Sequence, residues 1–291
     1  MNDAAIPSAG SVVAPATSKW FSTNPDKAWA EKFYLPFLPI FFAYNALIQR
    51  MHWLDVGNFW HVTQNVLMWV PYCVALPWYL RRHSGIPWHK SFWFKFNLWM
   101  VVWVFFATYF GSEYFFSALG MRYHFPQVTL YLDSALVGPN QATALANQER
   151  VPVGMYFNAI AFFIVYHVYA VIVIRRIRNL FTAQGAAVRF AAWLFAVLAT
   201  SLFFAWAETF FYQLSGDANG ISYYIDVPKM IKYGSFYYML DFVISFPNVY
   251  RLDETVAQTW SLRRCVVEAS FVGMWAMFLL DLAVLCFGGI V

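Results

Sequence analysis

Five carboxylic acids stand inside or at the ends of long apolar stretches of this chain. Glu208 lies in the aromatic run FFAWAETFFY, and Asp241 lies in a further apolar stretch that Asp226 precedes. Glu113 and Asp281 lie in two other apolar stretches. An ionised side chain in bilayer hydrocarbon costs roughly 2.5–3.5 kcal/mol on insertion scales, so acids at such positions indicate a functional site. A carboxyl group in a dry, apolar site favours its protonated form, which suits it to proton transfer.

The composition is typical of an integral membrane protein. Of 291 residues, 61% are hydrophobic and only 12% are charged, against about 25% charged residues in a soluble domain. Aromatic residues reach 22%, and interfacial belts explain part of that excess. A large flat ligand, or a site that stabilises positive charge, would explain the rest. The net charge of +4 gives no indication of nucleic acid binding.

No motif for a cofactor or a metal is present in the sequence. It contains no glycine-rich phosphate loop and no HExxH, and the six histidines lack the spacing of metal ligands. Cys73, Cys265 and Cys286 lie in apolar segments without CxxC spacing, so we expect neither a disulfide nor a metal site.

Seven apolar segments predict the elements that position the acids. A spanning helix needs about 20 residues, and the first segment is short enough that a re-entrant segment is an alternative. We therefore predict an all-α fold, a bundle of about seven transmembrane helices in a single domain over residues 19–291. Residues 1–18 are small and polar, which predicts a disordered tail, and Asn24 and Pro25 predict the start of a helix. The seven segments are residues 33–47, 59–80, 92–119, 153–174, 187–212, 230–250 and 265–290.

The basic residues predict the orientation of this bundle. When the loops are assigned alternately to two sides, one side receives fourteen of the 19 lysines and arginines. By the positive-inside rule this side, which includes the N-terminus, is cytoplasmic, and the C-terminus lies outside or in a lumen. The opposite side receives only Arg50, Arg122, Arg150, Lys229 and Lys232.

This topology also predicts the depth of the polar residues. Glu113, Glu208, Asp226 and Asp281 fall in the same non-cytoplasmic leaflet, whereas Asp241 and His167 lie deeper and Asn97 lies near the cytoplasmic side. Each has a structural alternative. Asp226 is also suited to cap a helix before Pro228, Asp281 and Asp241 to bridge helices by hydrogen bonding, and His167 to packing.

Several stretches of the sequence carry a resemblance to a known family. They are FWFKFNLW (92–99), YFFSALGMRYHFP (114–126), YHVYAVIVIRRIR (166–178), AETFF (207–211) and the region from Asp226 through SFPNVYRLDE (245–254). Together they resemble the cycloeucalenol cycloisomerases, the cyclopropyl sterol isomerases, over residues 20–282. Glu208, Asp226, His167 and Asp281 match the family pattern. The family has His in place of Glu113 and Tyr in place of Asp241.

The resemblance implies an isomerase that opens the 9β,19-cyclopropane ring of a 4α-methyl sterol without redox change or cofactor. Such a reaction needs an acid, aromatic faces that stabilise a carbocation, and a base. We expect Glu208 to be the acid and Asp226, Asp281 or His167 to be the base, with Glu113 as a further catalytic candidate. The expected substrate-binding residues are Trp206, Phe210, Tyr109, Phe115, Tyr237 and Asn97.

The expected partners are the sterol and the lipid bilayer, and the sequence leaves the oligomeric state open. The membrane is the endoplasmic reticulum in a eukaryote or the plasma membrane in a bacterium. The alternative function is a sterol- or lipid-binding or transport protein without catalysis.

Overall fold

The computed structural model describes residues 20–134, 149–216 and 221–291, so the predicted tail at residues 1–18 lies outside the described residues. The described part is mainly helical, with one antiparallel pair of strands, β1 (Met121–Tyr123) and β2 (Ser222–Tyr224). Its helices are α1 (Pro25–Tyr34), α2 (Phe37–Arg50), α3 (Asn58–Val70), α4 (Leu76–Arg81), α5 (Phe92–Tyr109), α6 (Gly111–Ser117), α7 (Val153–Leu180), α8 (Ala186–Gly216), α9 (Val227–Lys229), α10 (Ser235–Arg251) and α11 (Leu262–Phe287).

Local sequence explains where several helices begin and break. The Asn24 side chain accepts a hydrogen bond from the Asp26 N–H at 3.1 Å and Pro25 is the first residue of α1, which confirms the predicted helix start. The predicted first segment, residues 33–47, is divided because α1 ends just before Pro36 and α2 begins after it. Proline has no backbone N–H, so Pro36 cannot donate the next helical hydrogen bond. Pro71 begins a π-helical turn that joins α3 to α4.

Among the described residues, four helices are long and apolar enough to cross a membrane: Phe92–Ser117, Val153–Leu180, Ala186–Phe210 and Leu262–Phe287. They confirm a helical membrane protein. The other three predicted segments are also helical, but α2 is short, and the helices that contain α3 and α10 are interrupted by π-helical turns. The count of seven spans therefore stays a prediction.

One pair of short strands accompanies the helices of the predicted all-α fold. Met121 pairs with Tyr224 and Tyr123 pairs with Ser222, so the segment after α6 lies against the segment before α9. Short extended segments satisfy their backbone groups by pairing when no helix supplies partners. We call β1 and β2 the strand roof, because they cover the cavity that is described below.

Helix α7 lies at the centre of the bundle. It packs against α3, α5, α8 and α10, and most of its residues are buried. Two glycines allow close approach between helices. A side-chain carbon at Gly154 of α7 would lie 2.3 Å from the His61 ring of α3, and one at Gly273 of α11 would lie 2.6 Å from Phe106 of α5. Small residues at such crossings are typical of helix packing in membranes.

Buried ion pairs join helices at the end of the bundle opposite the strand roof. Lys27 of α1 donates hydrogen bonds to the carbonyl oxygens of Val249, Tyr250 and Leu252 at 3.1, 2.8 and 2.7 Å. Its ammonium also lies 3.0 Å from Glu254 Oε2, and its side chain is 0% exposed. A cation at the last carbonyls of α10 is favoured by the dipole of that helix.

Arg175 completes this group, which we call the ionic cluster: Lys27, Glu31, Arg175 and Glu254. The guanidinium is 2.6 Å from Glu31 Oε1 and 2.7 Å from both carboxylate oxygens of Glu254. Beside the cluster, Lys95 of α5 pairs with Asp253 at 2.7 Å. The two cations and two anions of the cluster therefore compensate one another, and they join α1, α7 and the loop that follows α10.

We expect Glu254→Gln to lower the free energy of unfolding by about 3–5 kcal/mol, because it leaves two buried cations underpaired. Thermal unfolding of the purified protein in detergent measures the loss. The control is Glu268→Gln on α11, where Arg264 lies 3.2 Å away at the surface and Asn248 keeps an oxygen to bind. An equal loss in both variants would contradict the structural importance of the cluster.

The cluster also predicts an acid limit to stability. Burial alone would raise the pKa of Glu254, but hydrogen bonds and charge from Arg175 and charge from Lys27 outweigh burial and lower that pKa. The unfolded chain therefore binds more protons than the folded one as the pH falls below the ordinary glutamate pKa of about 4.3. We expect stability to decrease over that range in the wild type and to decrease less steeply in Glu254→Gln. Unfolding temperatures measured against pH would show parallel curves if this inference is wrong.

Candidate functional site

A cavity of about 90 Å³ lies under the strand roof, between α5, α6, α7, α8 and α10. Its polar lining consists of Thr108, Ser112, Tyr123, Asn158, Glu208, Ser222, Tyr224, Tyr238 and Asp241. Its apolar lining consists of Ala107, Phe115, Met121, Met155, Ala159, Phe162 and Phe163. Two acids and several aromatic rings thus face one small space.

Glu208 is held in this cavity by tyrosine hydroxyls. Tyr238 of α10 donates a short hydrogen bond to Glu208 Oε2, and Tyr166 of α7 also interacts with this carboxyl group. Phe115 packs edge-on against the Tyr238 ring, with centroids 4.9 Å apart. The predicted acid and the predicted aromatic residue Phe115 are therefore brought together.

Asp241, which was not among the predicted site residues, lies in the same cavity. Tyr238 and Asp241 are three residues apart on α10, so their side chains share one face of the helix. Asp241 is 3% exposed, and its Oδ1 has no hydrogen-bond partner in the part of the chain that the structure describes. The signal in the sequence was an acid one helical turn after a tyrosine within an apolar segment.

The tyrosines of the strand roof are the other cavity residues that the sequence did not single out. Tyr123 of β1 and Tyr224 of β2 line the cavity. Burial raises the pKa of both phenols, and the nearby Glu208 raises it further. Both hydroxyls therefore remain neutral and are available as hydrogen-bond donors over the cavity.

Two of the predicted catalytic acids lie elsewhere. Asp226 caps α9, where its carboxylate accepts the Lys229 N–H at 3.0 Å and lies 3.3 Å from the Lys229 ammonium. The hydrogen bond from the Lys229 backbone lowers the pKa of Asp226. Asp281 is exposed on α11, 3.4 Å from the Tyr114 hydroxyl. Neither acid lines the cavity.

Glu113 and His167 are buried beside the cavity without lining it. Glu113 follows the lining residue Ser112, and its Oε1 has no hydrogen-bond partner among the described residues. His167 Nδ1 donates to the Phe163 carbonyl oxygen at 2.7 Å in the tautomer that this contact requires. Its ring is surrounded by the aromatic side chains of Trp99, Trp103, Phe163, Phe242 and Phe246, with centroids 4.8–6.5 Å away.

The remaining substrate-binding candidates do not line the cavity. Trp206 and Phe210 stack on each other at 5.1 Å and are 41% and 40% exposed on α8. Tyr237 donates to the Gly288 carbonyl oxygen at 2.6 Å, and Tyr109 stacks on Phe105 at 5.2 Å.

Asn97 binds neighbouring helices rather than the cavity. Its amide donates to the Tyr34 hydroxyl and to the carbonyl oxygens of Cys73 and Trp93 at 2.8–3.0 Å. Within the described residues, no group of three histidines, cysteines or acids is placed to hold a metal ion.

Comparison with known proteins identifies a relative along almost the whole chain. The chain is similar to a cycloeucalenol cycloisomerase. That protein, from Arabidopsis thaliana, is 28% identical over 282 residues, which cover 94% of this chain and 91% of the relative. No protein-family model and no solved structure matches the chain. The similarity to the cycloisomerase supports the family relationship that the sequence motifs indicated, and it extends over every helix that lines the cavity.

We expect Tyr238→Phe to destabilise the protein more than Tyr237→Phe. The first change removes the donor to a buried carboxyl group, which costs about 1–3 kcal/mol when a buried partner is left unpaired. The second removes a hydrogen bond to a carbonyl at the exposed end of α11. Thermal unfolding of the two variants compares them directly, and a smaller loss in Tyr238→Phe would contradict the proposed hold on Glu208.

Proposed function

We propose that the chain is a sterol isomerase that opens the 9β,19-cyclopropane ring of a 4α-methyl sterol, converting a sterol of the cycloeucalenol type to one of the obtusifoliol type. The observation that supports this most directly is the position of Glu208, a carboxyl group held by Tyr238 in a cavity with aromatic walls. The similarity to a cycloisomerase over almost the whole chain supports the same reaction class.

The reaction needs only proton transfer. A proton adds to one carbon of the strained ring, which becomes a methyl group, and positive charge develops at the neighbouring ring carbon. Loss of a nearby proton then gives the 8(9) double bond. No electrons are gained or lost overall, so carboxyl groups are sufficient as acid and base.

The lining of the cavity is suited to the cationic intermediate. The aromatic rings of Phe115, Phe162 and Tyr238 line the cavity, and aromatic rings stabilise a nearby cation through their quadrupoles. The small volume excludes bulk water, which would otherwise trap the cation as an alcohol.

Substrate binding requires this cavity to enlarge. Its volume of about 90 Å³ is below the roughly 300–1,000 Å³ of pockets that hold drug-sized ligands. We propose that the strand roof moves when the sterol enters, because β1 and β2 are joined over only three residues each. The long helices beneath it are fixed by extensive packing.

We further propose seven spans with a cytoplasmic N-terminus, which place the ionic cluster at the cytoplasmic side and the cavity in the opposite half of the membrane. The excess of basic residues around the cluster supports this orientation. The membrane is the endoplasmic reticulum in a eukaryotic host or the plasma membrane in a bacterial one.

The decisive experiment supplies a cyclopropyl sterol to the purified protein in lipid nanodiscs without any cofactor. We expect wild-type protein to form the ring-opened sterol and Glu208→Gln to be at least about 100-fold slower, since a positioned acid or base contributes about 10²–10⁴-fold. Gas chromatography with mass spectrometry measures the product. Binding without conversion by the wild type would favour the alternative, a sterol-binding or transport protein.

Three further variants refine this experiment. Glu268→Gln, on α11 and outside the cavity lining, is the control and keeps its activity. Asp226→Asn and Asp281→Asn test the role of base that the sequence analysis assigned to these two acids as candidates. Because neither acid lines the cavity, we expect both variants to form product at a rate within a few-fold of the wild type. A loss of rate comparable to that of Glu208→Gln would show that the acid does take part in the reaction.

A further inference from the structure

Asp241 is a second acid of the cavity, and its surroundings differ from those of Glu208. It is 3% exposed, and the described residues offer no hydrogen-bond donor to its Oδ1. A carboxylate without donors in apolar surroundings is strongly disfavoured. The neutral carboxylic acid is therefore the form of Asp241 that this position favours.

Glu208 has the donors that Asp241 lacks. The Tyr238 hydroxyl donates to its Oε2, and Tyr166 interacts with the same carboxyl group. Hydrogen bonds donated to a carboxylate stabilise its negative charge. Of the two acids, Glu208 is the one that the structure equips to be ionised.

The two acids also influence each other. Both line the cavity, and their charges interact. Two carboxylates that share an apolar site cannot easily ionise together, so one proton remains with the pair. Different surroundings then decide which acid holds it, and the hydrogen bond donated to Glu208 favours Asp241 as the protonated partner.

We propose that Asp241 donates the proton that opens the cyclopropane ring and that Glu208 accepts the proton that leaves. This assignment rests on the proposed function, and it reverses the role of Glu208 that the sequence led us to expect. It adds a catalytic residue that the family resemblance did not supply.

The proton balance of this cycle closes within the cavity. The electron pair of the strained C–C bond takes the proton of Asp241 and becomes a C–H bond of the new methyl group. The C–H electron pair of a neighbouring carbon then becomes the double bond, and its proton passes to Glu208. Return of that proton from Glu208 to Asp241 restores the starting state without any other reactant.

Isotope exchange in deuterated water distinguishes the donor from the acceptor. We expect Asp241→Asn to form product at least about 100-fold more slowly than the wild type and to leave recovered substrate free of deuterium. Glu208→Gln also forms little product, but its intact donor deuterates the ring reversibly, so recovered cyclopropyl sterol gains deuterium at the cyclopropane methylene carbon. Asp241→Glu restores part of the activity, and Glu268→Gln behaves as the wild type.

Two results would overturn the assignment. Product formation by Asp241→Asn within a few-fold of the wild type would remove Asp241 from the reaction. Deuterium in substrate recovered from Asp241→Asn, with none in substrate from Glu208→Gln, would make Glu208 the donor.

Infrared spectroscopy of the sterol-free protein separates this assignment from the proposed function. We expect a C=O stretching band of a protonated carboxylic acid that is lost in Asp241→Asn and kept in Glu208→Gln, with Glu113→Gln identifying any band from the other buried acid. If the variants show this pattern but the wild type converts no cyclopropyl sterol, the proposed function is overturned while the proton stays assigned to Asp241. A wild-type protein that converts the sterol while Asp241→Asn keeps the band would overturn the donor role alone.

Discussion

The contact of Glu254 with two buried cations is the constraint on which the rest of the structure depends. Inside a bilayer, the hydrophobic effect does not drive helices together, so packing and polar contacts must fix their positions. Glu254 binds Lys27 of α1 and Arg175 of α7, and Lys27 in turn binds the last carbonyl groups of α10. These contacts fix the position of α10 along its axis relative to α7 at one end of the bundle.

An aromatic core lies between the ionic cluster and the cavity. His167 of α7 lies among rings from α5 and α10, and its Nδ1 is satisfied by a carbonyl one turn earlier in its own helix. Phe242 and Phe246 of α10 stack on each other at 4.9 Å beside it. Interiors packed to this degree deform little, so a displacement at the ionic cluster would be transmitted along α10 to Asp241, which precedes Phe242.

The sequence predicted the helical elements well because the signals for them are local. Apolar stretches, the cap at Asn24 and the aromatic surroundings of Glu208 can all be read from neighbouring residues. Charge topology also estimated how deep each acid lies, but depth does not determine the direction in which a side chain points around its helix. Asp281 and Glu208 were assigned similar depths, yet Asp281 is exposed on α11 while Glu208 faces the cavity.

The features that the sequence did not predict depend on contacts between distant residues. The pairing of β1 with β2 joins segments about a hundred residues apart, and three-residue strands carry too little alternation to be recognised. Asp241 was set aside because the family resemblance offered no counterpart. Its place beside Glu208 becomes visible only when α8 and α10 are packed together, since Tyr238 provides the contact between them.

Helix α10 is consequently held at both ends by polar contacts of different kinds. Lys27 binds its final carbonyls, and Tyr238, one turn after its start, binds Glu208 of α8. Between these contacts Pro247 interrupts the helical hydrogen bonds, and a π-helical turn, Met230–Gly234, precedes the helix. Irregular turns of this kind allow adjustment of a helix without loss of its end contacts. A bundle that is fixed at the ionic cluster and adjustable near the strand roof can hold Asp241 and Glu208 in register while the cavity opens for the proposed sterol substrate.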